Sequence, residues 1–336
     1  MFSKNFFLIP LCFFLVTACS NSNSQTSEPA QVSEMSLIST PTTQVATYYN
    51  DGVSYLDLGK YDEAITAFTK AIEIDPKTAA IYYNRGTAYF VLEAYQKAID
   101  DYSKAIRLDP SDVLTYRNRG AAYDLIGRYD QSIEDYTQAI KLDASDSDTF
   151  SARGAAYYIL NEYEKAIQDY TKTIELNPSD AAAYSIRGDC YSELAQYEKA
   201  INDYSKAIEL KPSDAVTYNY RGVSYFLSGN TQQSIKDYTK AIELAPQLPN
   251  SYGNRATSYY FLKEYLKAIE DYTKVTELSP TDLVSFYNRG LSYRQIGKHQ
   301  EAIADFTKVI DLDQGNINTD KVKNLMTDSQ NILNNE

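Results

Sequence analysis

Eight positions, Tyr82, Arg85, Gly86, Tyr89, Ala98, Tyr102, Ala105 and Pro110, recur every 34 residues along most of the chain, nearly unaltered. A fixed period of that length describes one array of repeated supersecondary units, and it overrides the one or two globular domains that 336 residues would otherwise suggest. Within each unit the apolar residues fall at helical spacing in two runs of about 14 and 12 residues. Gly59, Gly127, Asn161, Gly229 and Gly297 lie between the runs, and these residue types accept the left-handed conformation that ends a helix. The second run of most units stops at a proline, and Ser111-Asp112, Ser179-Asp180, Ser213-Asp214 and Thr281-Asp282 are placed to cap the helix that follows.

The order aromatic, Gly, aromatic, Ala, aromatic, closing Pro resembles the tetratricopeptide (TPR) repeat, a helix-turn-helix unit. The resemblance implies an all-α fold, a right-handed α-solenoid of eight repeats: 45–78, 79–112, 113–146, 147–180, 181–214, 215–248, 249–282 and 283–316. Residues 317–336 follow, in which Val322, Leu325, Met326, Ile332 and Leu333 share one helical face, as expected of a helix that caps an open array. Gly52, Gly86, Gly120, Gly154, Gly188, Gly222 and Gly290 are expected to let the second helix approach closely, facing small residues such as Ala64, Ala98 and Ala166.

The chain departs from the family pattern in two ways. It has no Trp, and Tyr48, Tyr82, Tyr116, Phe150, Tyr184, Tyr218, Tyr252 and Phe286 occupy that position. The Leu expected before Gly is Arg in repeats two to eight, and an Asp stands sixteen residues after each: Arg85 and Asp101, Arg119 and Asp135, Arg153 and Asp169, Arg187 and Asp203, Arg221 and Asp237, Arg255 and Asp271, Arg289 and Asp305. Repeat one has Asp51 and Ala67 at these places, so the two residue types are present together and absent together. That pattern predicts a structural fork-like ion pair across the two helices of a repeat; the alternative is a ladder of arginines that read a ligand.

Lys4 followed by the apolar run from Phe6 to Val16 has the layout of a secretory leader and is too short to span a bilayer. Val16-Thr17-Ala18-Cys19 resembles a bacterial lipobox, which implies a signal peptide over 1–18 and a lipidated Cys19. A plain signal peptide with a chance cysteine is the alternative. More than one acyl chain would tether the protein stably to a membrane. Residues 19–44, rich in Ser and Thr, are expected to form a flexible linker. Cys190 lies at a position held elsewhere by Ser or Ala and reads as a buried thiol, with a redox or nucleophilic role as the alternative.

In the resembled family the first helices line a concave face that holds extended peptides or helices. Of the 32 tyrosines, six fall outside the four repeated positions: Tyr49, Tyr83, Tyr158, Tyr220, Tyr260 and Tyr287. With Phe90 and Phe226, all but Tyr220 occupy two positions on that face, and they make an aromatic-lined groove for a protein or peptide plausible. The same rings can instead pack between adjacent first helices. Asn84, Asn118, Asn254 and Asn288 are placed to hydrogen-bond a peptide backbone or to face solvent, and Arg117 and Arg294 supply the few cations. The family's carboxylate clamp is missing, since Tyr49 and Val53 stand where its Lys and Asn would be.

Other chemistries are disfavoured. A net charge of −13 argues against nucleic acid as a partner. The single histidine, His299, occupies a tyrosine position and cannot nucleate a metal or acid-base cluster; no cofactor is expected. Asp143, Asp146 and Asp148 lack the Gly and distal Glu of a calcium loop and read as caps. The expected function is a non-enzymatic, extracytoplasmic scaffold, exported and lipid-anchored on the periplasmic or cell-surface side of a bacterial membrane, serving envelope assembly, secretion, pilus biogenesis or cell-wall hydrolases. The alternative is a glycan or small-molecule binding lipoprotein whose groove tyrosines stack on the ligand.

Overall fold

The computed structural model describes residues 43–313 and 319–335. Cys19, the leader and most of the linker lie outside the described residues. The chain divides into two compact units, the first ending at Ala156 and the second beginning at Tyr157. The first contains α1 (Thr43–Asp57), α2 (Tyr61–Ile74), α3 (Ala79–Val91), α4 (Tyr95–Leu108), α5 (Val113–Leu125), α6 (Tyr129–Leu142) and most of α7 (Ser147–Ile159). The second contains α8 (Tyr163–Leu176), α9 (Ala181–Glu193), α10 (Tyr197–Leu210), α11 (Ala215–Leu227), α12 (Thr231–Leu244), α13 (Pro249–Phe261), α14 (Tyr265–Leu278), α15 (Leu283–Gln295), α16 (His299–Leu312) and α17 (Thr319–Asn335). Among the described residues there is no strand, and no helix is long and apolar enough to cross a membrane. Within each unit consecutive helices pack as antiparallel-type hairpins and each repeat leans on the next, the arrangement of a TPR solenoid.

Local chemistry accounts for the helix ends. Asp112 accepts the Leu114 N–H, Asp180 those of Ala182 and Ala183, Asp214 that of Val216 and Asp282 that of Ser285, so the first helices of these repeats start on a side-chain cap. Second helices start without one. Each follows a left-handed turn in which two crossed hydrogen bonds close the preceding helix, for example Lys60 N–H to the Tyr55 carbonyl at 2.8 Å and Gly59 N–H to that of Leu56 at 2.9 Å. Gly59, Gly127, Asn161, Gly229 and Gly297 hold the left-handed residue as the sequence predicts, but Glu93, Ala195 and Lys263 hold it in the other repeats, with φ between 56° and 63°. The surrounding helices fix that geometry, although the side chain opposes it.

The core of each repeat is one aromatic ring on the second helix: Phe68, Tyr102, Tyr136, Tyr170, Tyr204, Tyr238, Tyr272 or Phe306, all essentially inaccessible. The recurrence of Gly every 34 residues has its cause here, and it corrects the expectation that Gly faces Ala. A Cβ on Gly52 would come within 2.5 Å of the Phe68 ring, and one on Gly222 within 2.6 Å of Tyr238, so the ring lies flat on the glycine. In α17, Val322 is buried against Tyr287, Phe306 and Val309, and Leu325 and Met326 pack beside it. Ile332 does not join them; it is 38% exposed, so the covering face is shorter than its apolar pattern.

Candidate partner-binding site

The arginines before Gly are tied into the scaffold. In the first unit Arg85 donates from Nε and Nη2 to Asp101 at 2.7 and 2.8 Å, and Arg119 grips Asp135 through the same two atoms. In the second unit Arg187 with Asp203, Arg221 with Asp237, Arg255 with Asp271 and Arg289 with Asp305 repeat the fork. The third nitrogen of each reaches the second helix of the preceding repeat: Arg85 to Thr69, Arg119 to Ser103, Arg187 to Thr171 and Arg221 to Ser205, at 2.9 to 3.0 Å. Arg153 likewise donates to Thr137 at 3.0 Å, and Asp169 is buried. Each guanidinium also lies over the aromatic ring three residues before it, as Arg187 does over Tyr184 at 5.7 Å. Arginines with every face engaged are structural locks joining three helices, not free readers of a ligand.

The structure corrects part of the expected binding surface in the first unit. Asn84 is buried and donates to the Tyr49 hydroxyl at 3.0 Å, and Asn118 donates to that of Tyr83 at 3.1 Å, so each amide holds a neighbouring repeat's tyrosine rather than simply facing solvent. The Tyr49 ring leans on Phe68 at 6.0 Å and the Tyr83 ring on Tyr102 at 5.9 Å. Burial raises the pKa of both hydroxyls. Arg117 is held by Asp146 at 3.0 Å, and Asp146 also accepts from Thr149. Phe90 is different: half-buried at the end of α3, it stands edge-on to Tyr95 across the turn at 5.6 Å.

In the second unit Tyr287 is buried on Phe306, and Arg294 points to Asp328 of α17 at 3.8 Å; both belong to the end cap, which also corrects their placement in a groove. Asn254 bonds Asn219 at 3.1 Å. Tyr158, Phe226 and Tyr260 remain half-exposed. Tyr158 is edge-on to Tyr163 and Tyr260 to Tyr265, while Phe226 is edge-on to Phe261, which is itself 68% exposed. Phe261 was not singled out in the sequence because Val91, Leu125, Ile159 and Leu227 hold the same position, and an apolar residue there looked like ordinary helix packing.

A second feature missed in the sequence is acidic. Asp189 of α9 is buried and accepts the Tyr204 hydroxyl at 2.6 Å. Burial, with the negative charges of Glu193 and Asp214, pushes its pKa up to about 7 despite the Tyr204 bond. Glu193, one helical turn on, is also raised by burial, and its Oε1 is a buried oxygen with no hydrogen bond. Cys190 beside them is buried, and burial drives its thiol up, away from reactivity. The signal was available: Val53, Thr87, Ala121, Ala155, Val223, Thr257 and Leu291 occupy the position of Asp189 elsewhere.

Comparisons with known proteins agree with this architecture. Tetratricopeptide-repeat family models match residues 79–112, 113–146, 147–180, 215–248 and 284–316, with related TPR models over 52–92, 169–202, 188–229 and 249–282. Among curated proteins none matches. Of solved structures, the C-terminal part of a TPR repeat-containing protein from Cytophaga hutchinsonii aligns with TM-score 0.63 at 22% identity, over 71% of this chain and 98% of its own. YrrB, described as a TPR protein with an unusual peptide-binding site, aligns with TM-score 0.52 at 25% identity, over 56% and 97%. A MamA protein aligns with TM-score 0.50 at 28% identity, over 51% and 94%. The chain belongs to the tetratricopeptide-repeat family.

Proposed function

We propose that the chain is a non-enzymatic scaffold that binds protein or peptide segments along its first helices, exported and lipid-anchored through Cys19 on the periplasmic or cell-surface side of a bacterial membrane. Envelope assembly, secretion, pilus biogenesis or the recruitment of cell-wall hydrolases are the processes such a protein would serve. The observation that carries the binding reading is the set Tyr158, Phe226, Phe261 and Tyr260: aromatic rings left partly open at the first-helix ends, each braced edge-on by a neighbouring ring. Braced aromatics give large contact area with little loss of side-chain freedom on binding. YrrB, with its described peptide-binding site, supports the same class of ligand. Sugar stacking needs an open ring face, and Tyr49, Tyr83 and Tyr287 have turned theirs to other rings, so the protein reading goes further.

The test is a crosslinking pull-down from native envelopes with the wild type and a Tyr158→Ala, Phe226→Ala, Tyr260→Ala variant of unchanged helicity. Proteins captured by the wild type and lost by the variant support the site; identical capture lists refute it. Anchoring is tested separately by palmitate labelling, which Cys19→Ser should abolish.

A further inference from the structure

Four of the buried core tyrosines show what their hydroxyl requires. Tyr102 bonds Thr87 at 3.3 Å and Tyr272 bonds Thr257 at 3.0 Å, so a neutral hydroxyl on the first helix is sufficient. Tyr136 uses Asp124 instead, at 2.7 Å, and the positive charge of Arg117 acts on the Tyr136 hydroxyl. Tyr204 uses Asp189, and there the negative charges of Glu193 and Asp214 act on the carboxylate. Asp189 is 4% exposed, and Tyr204 occupies its Oδ1. The Glu193 Oε1, a turn away on the same face of α9, is a buried oxygen that takes no hydrogen bond. Asp214 is committed to capping α11 through Val216 and Thr217. A charge that the tyrosine does not need, buried without a cation, is costly unless something brings the cation.

The neighbours suit that role. Tyr158 projects from the first helix of the preceding repeat close enough for its hydroxyl to feel both carboxylates, and Tyr220 from the following repeat sets its ring 6.3 Å from that of Tyr204. A carboxylate pair with one unbonded oxygen, on a first helix flanked by first helices that carry Tyr158 and Tyr220, matches the donors and the aromatic preference of an ammonium or guanidinium group. We propose that Asp189 and Glu193, walled by Tyr158 and Tyr220, form the receptor for a lysine or arginine side chain of the bound protein segment. This rests on the protein-binding reading and gives it a specificity: the segment carries a cation at the point that crosses α9. The carboxyl must be ionised to bind, so affinity rises as pH rises through about 7; Cys190, Tyr158, Tyr204, Glu193, Asp214 and Tyr220 are the groups that share its surroundings.

The experiment titrates three fluorescein-labelled heptapeptide libraries, with the second end blocked and lysine, arginine or uncharged norleucine fixed at the centre, against the full chain at pH 8. Asp189→Asn/Glu193→Gln, checked for native circular dichroism and melting, is titrated in parallel. We expect the lysine and arginine libraries to bind the wild type about tenfold more tightly than the norleucine library, and the double variant to bind all three alike. Equal binding of the three by the wild type overturns the cation receptor while leaving peptide binding intact. A cation preference that survives in the double variant places the receptor elsewhere. Binding of no library removes the protein-binding reading and this inference with it, and spermidine binding more tightly than any library overturns a peptide as the source of the cation.

Discussion

Arg187 and Asp203 should be coupled by more than any surface ion pair. Both side chains are largely buried, 15% and 10% exposed, and the two bonds between them are 2.7 and 2.8 Å long. Arg187 also donates to Thr171 at 3.0 Å and lies over Tyr184, so the guanidinium pins α8 and α10 to α9. Removing either partner from a buried pair costs about 3 to 5 kcal/mol, because the remaining charge stays in place without compensation. The residual exposure puts Asp203→Ala near the lower end, about 3 kcal/mol, and Arg187→Met should cost a similar amount. The double variant leaves no orphan charge, so it should cost about 4 rather than about 6 kcal/mol, a coupling of about 2 kcal/mol. The assay is urea unfolding of the full chain and its three variants by circular dichroism, fitted with nearest-neighbour coupling because repeats unfold as an array. A coupling below about 1 kcal/mol, the range of exposed pairs, would refute the lock.

Three further outcomes follow from the same geometry. The folded chain keeps the Asp189 proton up to a pH of about 7, whereas an unfolded aspartate releases it near about 3.9, so the folded state holds more protons between those values and stability should fall as pH rises through the interval. Asp189→Asn should flatten that slope and be more stable than the wild type at pH 8, by a few kcal/mol at most (about 4 from the shift alone), as read by melting at a series of pH values. Gly222→Ala should cost about 1 to 3 kcal/mol, since the new Cβ meets Tyr238 at 2.6 Å, whereas Gly253→Ala, whose Cβ meets only Val275 at 3.8 Å, should gain about 0.5 to 1 kcal/mol in denaturant unfolding. Ala195→Gly should stabilise by about 1 kcal/mol, because Ala195 is exposed and sits at φ 56°, and a lower urea midpoint would contradict the reading of its turn as strained.

The repeat made much of the fold legible before any coordinates. The 34-residue period gave the helix pairs, the Asp caps and the turn glycines, and the sixteen-residue Arg–Asp spacing pointed to ion pairs because both residues vanish together in repeat one. The left-handed turns at Glu93, Ala195 and Lys263 were invisible, since packing of the flanking helices imposes a conformation those side chains do not advertise. Tyr49 with Asn84 and Tyr83 with Asn118 are bonded at a spacing of one repeat plus one residue, a relation between neighbouring units that inspection within a single repeat does not reveal. Tyr49, Tyr83 and Tyr287 therefore read as groove aromatics in the sequence while their rings lean on core rings in the fold. Asp189 was overlooked for the opposite reason: one acid in a helix rich in polar residues looks solvated until Tyr204 is seen against it.

Site-specific photocrosslinking most directly tests whether the first helices of the second unit receive a protein partner. Benzoylphenylalanine placed at Phe226, on the first-helix face, is compared in living cells with the same group at Lys236, exposed on the second helix α12. Adducts to a protein from position 226 and none from position 236 are the expected result. Adducts from 236 alone would put the partner on the opposite side of the repeats and contradict the assignment of the site.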